Sequence, residues 1–146
     1  MRVEEVAAEA THDLRRRVLR AGVPDPNVVF PEDTRPGTFH LAVRDDADRI
    51  VGIGTFLPDQ CPHRSGRRGW RLRGMAVEPA LQGQGIGRAL LAEGLARLKA
   101  DGAEVVWARG RDTALGFYER EGWVVVGDAY VPDETGLLHH DVVLDL

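Results

Sequence analysis

The stretch that decides the fold is Gln82-Gly83-Gln84-Gly85-Ile86-Gly87-Arg88. An apolar segment from Leu72 to Val77, closed by Glu78-Pro79, precedes it, and an amphipathic helix pattern beginning near Arg88 follows it. This order predicts a strand, a glycine-rich turn and a helix N-terminus. Glycines let backbone N–H groups approach an anion closely, and a helix start adds unpaired donors and a positive dipole end. We therefore expect residues 82–88 to bind the pyrophosphate of a nucleotide-like cofactor.

Two familiar glycine loops do not match this stretch. The P-loop ends in Gly-Lys-Ser/Thr, whereas the only lysine of the chain, Lys99, lies far along the helix. The dinucleotide fingerprint G-x-G-x-x-G matches Gly83 and Gly85 but requires glycine where this chain has Arg88. A nicotinamide-dinucleotide-binding α/β protein is therefore an alternative against which Arg88 argues.

A third pattern, Q/R-x-x-G-x-G/A, matches Gln82 to Gly87 without gaps, and here the chain resembles the GNAT superfamily of N-acetyltransferases. Met75-Ala76-Val77-Glu78-Pro79 is similar to the fourth strand of that superfamily and its turn. The segment Thr113 to Trp123 is similar to its later A-x-x-F-Y-x-x-x-G-F/W motif. The resemblance is strong over residues 70–125 and looser in the flanks.

The hydrophobic pattern predicts a mixed α/β sheet. The predicted elements are a helix over 4–20, strands over 39–43, 50–57 and 70–77, the helix after the glycine loop, a strand over 104–108, a short helix over 113–121 capped by Asp112 or Thr113, and a closing antiparallel pair over 123–126 and 138–144. Strands 70–77 and 104–108 should form a parallel step. The resemblance implies that these two splay apart to admit the cofactor. It also implies a first strand before helix one, which we expect to be short or missing because only Met1-Arg2-Val3 is available.

The resemblance implies acetyl-CoA as the cosubstrate and assigns residues to it. The implied cofactor-binding residues are Met75, Val77, Gln82, Gly83, Gln84, Gly85, Ile86, Gly87, Arg88 and Arg111. Many relatives carry asparagine at the position of Arg111, so its contact with the cofactor is an open point. The backbone N–H of Met75 is expected to polarise the acetyl carbonyl.

Tyr118 is the predicted catalytic residue. Its place in the Phe-Tyr pair matches the tyrosine that supports the leaving thiolate in the superfamily. A neutral phenol, with a pKa of about 10, can hydrogen-bond or protonate a thiolate whose thiol has a pKa of about 8.5.

The general base is not visible in the sequence. Many relatives use a glutamate on the strand at 70–77, where this chain offers Arg71 and Arg73 instead. Glu78 follows that strand as a turn residue. His139 and His140, on the terminal hairpin, stay open as bases beside deprotonation through ordered water.

The charge of the acceptor is also open, because two groups of residues give opposite indications. The basic group, which favours an acidic acceptor, comprises His63, Arg64, Arg67, Arg68, Arg71 and Arg73. The acidic group, which favours a cationic amine, comprises Glu32, Asp33, Asp45, Asp46 and Asp48.

The bulk properties narrow the class of protein. The chain has 146 residues, of which 43% are apolar, so residues 1–146 are expected to form a single N-acetyltransferase domain. A net charge of −4 does not favour nucleic-acid or membrane-surface binding, and no apolar run is long enough for a span. The lone Cys61 and the absence of an apolar leader favour the cytoplasm. We expect no metal, and we keep a homodimer as an expectation drawn from the superfamily.

These observations together predict an N-acetyltransferase. It would pass the acetyl group of acetyl-CoA to a primary amine of a small molecule or peptide, by direct attack in a ternary complex. Cys61 precedes the strand in a loop and is not expected to carry an acyl group. The alternative is a non-catalytic acyl-CoA-binding sensor or regulatory module, because the strand lacks the glutamate.

Overall fold

The computed structural model describes residues 1–146 and contains seven strands and three helices. The strands are β1 (Val3–Val6), β2 (Phe39–Arg44), β3 (Ile50–Pro58), β4 (Gly69–Val77), β5 (Val105–Arg111), β6 (Val124–Tyr130) and β7 (His139–Asp145). Helix α1 covers residues 8–19 as three consecutive turns, Ala8–Thr11, His12–Leu14 and Arg15–Leu19. Helix α2 is Ile86–Ala100 and α3 is Leu115–Arg120. Further short turns lie at Pro31–Thr34, Pro79–Leu81 and Asp112–Ala114.

All seven strands belong to one sheet, in the order β1-β2-β3-β4-β5-β7-β6. The β4–β5 pair is parallel, and every other neighbouring pair is antiparallel. The predicted mixed α/β sheet with one parallel step is therefore confirmed.

The predicted helix over 4–20 is wrong at its start. Residues Val3–Val6 pair antiparallel with β2, so the first strand is short rather than missing. The edge of β2 offers backbone partners to this segment, and local helical periodicity carries no information about such a distant partner. The buried arginine of α1 is Arg15, whereas Arg17 lies on the surface with Glu78 and Asp13.

The helices cover both faces of the sheet. Helix α2 buries Leu90, Leu91 and Leu98 against a core that includes Phe56. A Cβ added to Gly94 would lie 2.2 Å from the Phe56 ring, so glycine allows α2 to approach β3 closely. On the other face, Leu14 of α1 packs on a smaller cluster of Ala42, Ile53 and Ala76.

Strands β4 and β5 separate after a short paired region. Their register runs only from Gly69 opposite Val105 to Arg71 opposite Trp107, although β4 continues to Val77 and β5 to Arg111. On its other side, β4 contains a bulge, where the register with β3 shifts by one residue. A bulge bends its strand, which suits the divergence of β4 from β5. The splay that the resemblance implied is present.

Three other predicted boundaries change. The strand at 104–108 extends to Arg111, because β7 pairs with β5 along its whole length. The strand at 123–126 extends to Tyr130 after an irregularity in its register with β7. The short helix is preceded by the turn Asp112–Ala114, and neither Asp112 nor Thr113 caps it through a side-chain hydrogen bond.

Candidate active site

The glycine loop forms an open cradle at the start of α2. Gly83 and Gly85 have φ angles of +81° and +86°, in the left-handed region that glycine adopts without strain. No atom lies within 4 Å of a Cβ built on either residue, so the backbone there faces open space. Gly85 is the N-cap of α2, and no side chain caps the helix.

The N–H groups along this loop are free to bind a ligand. The first helical hydrogen bond runs from the N–H of Ala89 to the carbonyl of Gly85, at 3.0 Å. From Gly83 to Arg88, no backbone N–H donates to another backbone group. A helix N-terminus with such unpaired donors attracts an anion through direct hydrogen bonds and through its dipole. The cradle therefore fits a pyrophosphate, as the sequence predicts.

The side chains around the cradle have local structural roles. The amide of Gln82 donates to the carbonyl of Val77 at 3.4 Å. Arg88 is mostly exposed, with its Nε 3.7 Å from Glu121. A Cβ on Gly87 would lie 3.2 Å from the Phe117 ring, so glycine at this position also lets α2 pack against α3. Helix α2 begins at Ile86, two residues earlier than predicted.

Met75 lies in the β4 bulge, on the side from which β5 diverges. The register with β3 passes from Arg73 opposite Thr55 to Ala76 opposite Ile53, so Gly74 and Met75 together face Gly54. Gly74 has a φ of +64°, the conformation that this bulge requires. Met75 has no Cα partner in β3 or β5, which suits the predicted role of its backbone in binding the acetyl carbonyl.

A cavity of about 170 Å³ opens where the two strands separate. It is lined by Leu19, Arg20, Phe30, Arg71, Leu72, Arg73, Gly74, Met75, Arg109, Gly110, Arg111, Ala114, Tyr118, Pro132, Glu134, Thr135 and His139. The cavity brings together Met75, Arg111 and Tyr118, which the sequence assigned to catalysis or cofactor binding. Val77 and residues 82–88 lie outside this lining.

Tyr118 is buried on α3 and contributes to the cavity wall. Its ring packs on Trp123, with centroids 5.0 Å apart, and stands edge-on to Phe117. Burial raises the pKa of the Tyr118 phenol well above its ordinary value. The hydroxyl therefore stays neutral at physiological pH and keeps its O–H as a hydrogen-bond donor.

His139 lines the same cavity in a defined orientation. Its Nδ1 lies 2.8 Å from the carbonyl oxygen of Leu137. A carbonyl only accepts, so Nδ1 carries the proton and the Nε2 of a neutral ring keeps its lone pair. His140 lies outside the cavity lining, and its Nε2 is 2.8 Å from Asp112. Of the two histidines considered as bases, the geometry favours His139.

Arg111 lines the cavity and is held at the end of α1. Its guanidinium donates to the carbonyl of Leu19 at the end of α1. Burial lowers the pKa of Arg111, and the nearby charge of Arg20 lowers it further. The side chain thus joins β5 to α1 at the cavity, and this arrangement does not support its predicted contact with the cofactor.

The basic group identified in the sequence divides in two. Arg71 and Arg73 line the cavity. The remaining members lie outside it: His63 pairs with Asp141, Arg64 with Asp145 and Arg68 with Glu104, while Arg67 is exposed.

The acidic residues are either paired with arginines or lie outside the cavity. Glu32 pairs with Arg73 at 2.5 Å, and Asp33 makes a bidentate pair with Arg15 at 2.7 and 2.9 Å. The three aspartates at 45, 46 and 48 lie at the β2–β3 turn, outside the cavity lining.

Several cavity residues were not singled out from the sequence. They are Leu19, Arg20, Phe30, Leu72, Gly74, Arg109, Gly110, Pro132, Glu134 and Thr135. Gly74 had a local indication, since an isolated glycine within a strand pattern suggests a bulge. Arg109 is two residues from Arg111 and shares its face of β5, but the predicted strand ended too early to reveal this.

Comparison with known proteins agrees with this geometry. The model of the acetyltransferase (GNAT) family matches residues 7–123. The chain belongs to the GNAT family. The match spans the splayed strands, the glycine cradle and Tyr118, and it ends before the cavity residues Pro132, Glu134, Thr135 and His139.

Individual relatives give the same assignment. The chain is 29% identical to the uncharacterized N-acetyltransferase YitI of Bacillus subtilis (strain 168) over 143 residues, covering 98% of this chain and 94% of that protein. An aminoglycoside 6'-N-acetyltransferase complexed with coenzyme A superposes with a TM-score of 0.75 at 16% identity, covering 99% of this chain and 97% of the other. A ribosomal-protein-alanine N-acetyltransferase from Brucella melitensis superposes with a TM-score of 0.76 at 17% identity, over 100% of both chains. At these identities the two structures establish the shared fold.

No helix of this GNAT protein is long and apolar enough to cross a membrane.

Proposed function

We propose that this GNAT protein transfers the acetyl group of acetyl-CoA to a primary amine of a small molecule or peptide, by direct attack in a ternary complex. One observation carries the proposal. The splay of β4 from β5 opens a cavity that contains Met75 and Tyr118, and the free N–H groups of residues 83–88 follow the same β4 strand. The cradle suits the pyrophosphate, and the cavity suits the reacting groups.

Each part of the site has a distinct chemical task. The N–H groups from Gly83 to Arg88 would hold the pyrophosphate, and the stretch of β4 from Met75 to Val77, which has no partner in β5, would bind the amide-rich arm. The N–H of Met75 would stabilise the negative charge that develops on the carbonyl oxygen during attack. The neutral hydroxyl of Tyr118 would hydrogen-bond or protonate the departing thiolate. We leave Arg111 out of the cofactor site, because Leu19 holds its guanidinium.

His139 is our choice for the group that takes the proton from the attacking amine. An amine attacks only in its unprotonated form, so a nearby acceptor of protons promotes the reaction. The free Nε2 of His139 meets this need on the same cavity wall as Tyr118. The carbonyl of Leu137 maintains the required tautomer, as orienting partners do for other catalytic histidines.

Direct attack is supported by the position of the single cysteine. Cys61 is 1% exposed and packs with Val105, Trp107 and Val143. It is absent from the cavity lining, so it is poorly placed to accept an acyl group there. Replacement by serine should therefore leave turnover unchanged unless packing is disturbed.

We also propose three properties of the chain as a whole. We propose that residues 1–146 act as one catalytic domain, that the unpaired cysteine reflects a reducing cytoplasm, and that the chain forms a homodimer. Exposed Val124 and Val125 on the edge strand β6 are consistent with a contact between copies. Light scattering on the purified protein tests the last point, and a monomeric mass at micromolar concentration would reject it.

The first experiment is a pair of calorimetric titrations, one with acetyl-CoA and one with a nicotinamide dinucleotide. We expect acetyl-CoA alone to bind. Thiol release from acetyl-CoA is then measured with a panel of primary amines. Binding without thiol release for any amine would favour the acyl-CoA sensor, and binding of the dinucleotide alone would favour the dinucleotide-binding alternative.

A further inference from the structure

The cavity beside Tyr118 contains an unusual concentration of guanidinium groups. Five arginines line it: Arg20, Arg71, Arg73, Arg109 and Arg111. Glu134 is the one carboxylate in the lining. Four of these arginines come from alternate positions of the two splayed strands, namely 71 and 73 on β4 and 109 and 111 on β5. Alternate residues of a strand share one face, so the positive charge is built into the sheet.

Two of the five arginines already have partners. Arg73 is paired with Glu32, and Arg111 donates to the carbonyl of Leu19. The Arg73–Glu32 pair is well shielded from water, so it neutralises that charge locally. The Leu19 carbonyl uses donors of Arg111 without neutralising its charge. The guanidinium groups that keep donors for a ligand are therefore mainly those of Arg20, Arg71 and Arg109.

Arg71 is the best-defined of the unpaired groups. The residue is 8% exposed, and its Nε is buried without any hydrogen-bond partner. The nearest carboxylate oxygen, of Asp59, lies 3.9 Å from its Nη1, at the limit for an ion pair. A buried guanidinium nitrogen without a partner is costly, since burial removes the water that would otherwise bind it. The Nε itself is closed to solvent, so a ligand anion in the cavity would bind the remaining N–H groups of this guanidinium, whose side chain is 10% exposed.

Arg20 and Arg109 are the other two arginines of the cavity that keep donors for a ligand. The Nε of Arg20 is also buried without a partner, and its guanidinium lies 5.3 Å from the centre of the Phe30 ring. Arg109 is exposed on β5 and makes no ion pair within the chain. Near it, Asp141 accepts hydrogen bonds from Tyr130 and pairs with His63, so that carboxylate has its own partners.

Aromatic rings orient two of the guanidinium groups. Arg73 lies over Phe30 at 4.2 Å, and Arg71 lies 5.1 Å from the centre of the Trp107 ring. At these distances each ring attracts the guanidinium cation through its electron-rich face. The rings thus help to hold both arginines at the cavity wall.

Mutual repulsion among the arginines also favours the binding of an anion in the cavity. Burial, together with the charges of Arg73 and Arg109, lowers the pKa of Arg71 to about 10. Burial also lowers the pKa of Arg73, against the opposing effect of Glu32. The arginines stay protonated at neutral pH, but they are held together at an electrostatic cost that a bound anion would relieve.

From these contacts we infer that the amine acceptor carries an oxyanion, a carboxylate or a phosphate, which Arg71 and Arg109 bind while the amine lies beside Met75 and Tyr118. This inference rests on the proposed function, because it names the acceptor of the same cavity. It resolves the conflict between the basic and acidic groups of the sequence, since the acidic group contributes no free carboxylate to the lining.

The test separates binding of the anion from catalysis. In the presence of coenzyme A, calorimetry measures the affinities of a panel of N-acetyl amino acids and of their C-terminal amides. Each amide keeps the shape of its acid but lacks the negative charge. A second arm compares N-acetyl-O-phosphoethanolamine with N-acetylethanolamine, so that a carboxylate is distinguished from a phosphate. We expect the anionic member of at least one pair to bind at least about tenfold more tightly. Equal or weaker binding of the anionic member in every pair, or no binding at all, overturns the inference.

Matched variants locate the anion. Arg71→Gln and Arg109→Gln should each weaken the preferred anion by about tenfold and leave its neutral partner unchanged. Arg109 is exposed and unpaired, so its variant should fold even if Arg71→Gln does not. Arg67→Gln removes the same charge from an exposed loop position outside the cavity, and should change binding by less than about twofold. Equal losses in Arg109→Gln and Arg67→Gln would reject the site.

Catalysis is measured afterwards, as thiol release with the unacetylated form of the preferred anion. Anion binding that depends on Arg109, combined with no thiol release, would reject the acetyltransferase proposal while the anion site stands. Thiol release with neutral amines in preference to anionic ones would reject the anion site while the acetyltransferase proposal stands.

Discussion

At the scale of single residues, the Tyr118 hydroxyl can be removed with little change in packing. Its ring is held by Trp123 and Phe117, and phenylalanine keeps those contacts. We expect Tyr118→Phe to lower turnover by roughly ten- to a thousandfold, because the leaving thiolate loses its proton or hydrogen-bond donor. The dissociation constant of acetyl-CoA should stay within about twofold of the wild-type value. Steady-state kinetics measures the turnover and calorimetry measures the dissociation constant. Unchanged turnover would exclude the proposed role of Tyr118.

The proposed role of His139 makes a prediction about turnover. Its Nε2 would accept the proton of the attacking amine, so its removal should slow the reaction. In His139→Gln we expect kcat/KM to fall by about 10²- to 10⁴-fold. His140→Gln, outside the cavity lining, is the matched control and should keep the wild-type kcat/KM. Equal kcat/KM values in the two variants would exclude His139 as the base.

The Arg15–Asp33 pair concerns stability. Its side chains are 0% and 4% exposed, and Arg15 also donates to Val28 and Thr55. Asp33→Asn removes the negative charge and leaves the buried guanidinium without a counterion, which should cost about 3–5 kcal/mol of unfolding free energy. Urea unfolding measures this loss. Asp46→Asn, at an exposed position in the β2–β3 turn, should change stability by less than about 0.5 kcal/mol.

At the scale of elements, the glycine loop combines a left-handed backbone conformation with a proposed role in cofactor binding. Gly85 and Gly66 both have positive φ, and both face open space where a Cβ would be. Alanine at either position should therefore introduce similar strain, of about 1–2 kcal/mol. Only Gly85→Ala should also weaken acetyl-CoA binding, by about tenfold or more, because the strain shifts the N–H groups that begin α2. Calorimetry on both variants tests this, and equal affinities would mean that the loop does not bind the cofactor.

The β4 bulge shows how an element positions chemistry. Gly74 gives β4 its turn in direction, and the same turn brings Met75 to the cavity. The bulge and the loss of pairing with β5 occur on the same strand within a few residues. A strand that leaves its neighbour exposes backbone groups which need partners, and we propose that the bound cosubstrate supplies them.

At the scale of the whole molecule, acid should destabilise the fold in two stages. Burial lowers the pKa of His40, which bonds Thr55 at 2.8 Å, so the folded ring resists a proton that the unfolded chain accepts below about pH 6.5. Stability should therefore begin to fall below that pH. Burial alone would raise the pKa of Asp33, but its bonds to Arg15 outweigh this and lower it. That contribution is present above about pH 3.9 and is lost as pH falls through the lower folded-state pKa.

Urea unfolding over a range of pH measures both stages. His40→Gln should remove the first stage and keep the second, whereas Asp33→Asn should reduce the second. A single transition that begins below about pH 4 in the wild-type protein would contradict the role of His40.

Local patterns predicted the elements that depend on near neighbours in the chain. The glycine loop, α2 and the β2–β3 hairpin follow from turn residues and periodicity, which act over a few residues. The strand β1 was mistaken for helix because its partner, β2, is more than 30 residues away. The length of β5 was underestimated for the same reason, since Arg109 and Arg111 are strand residues only through their pairing with β7.

The sequence by itself determined the family and the position of the glycine loop before α2, because short motifs with fixed spacing encode local backbone geometry. The catalytic role of Tyr118 is a prediction from the same motifs. Only the tertiary structure decided which charged side chains lie close together. In the fold, Arg71 and Arg73 line the cavity with Arg20 and Arg109, apart from the other basic residues. Asp33 is paired with Arg15. Charges far apart in the chain are brought together by sheet order and by the splay of β4 from β5, and no local pattern records either.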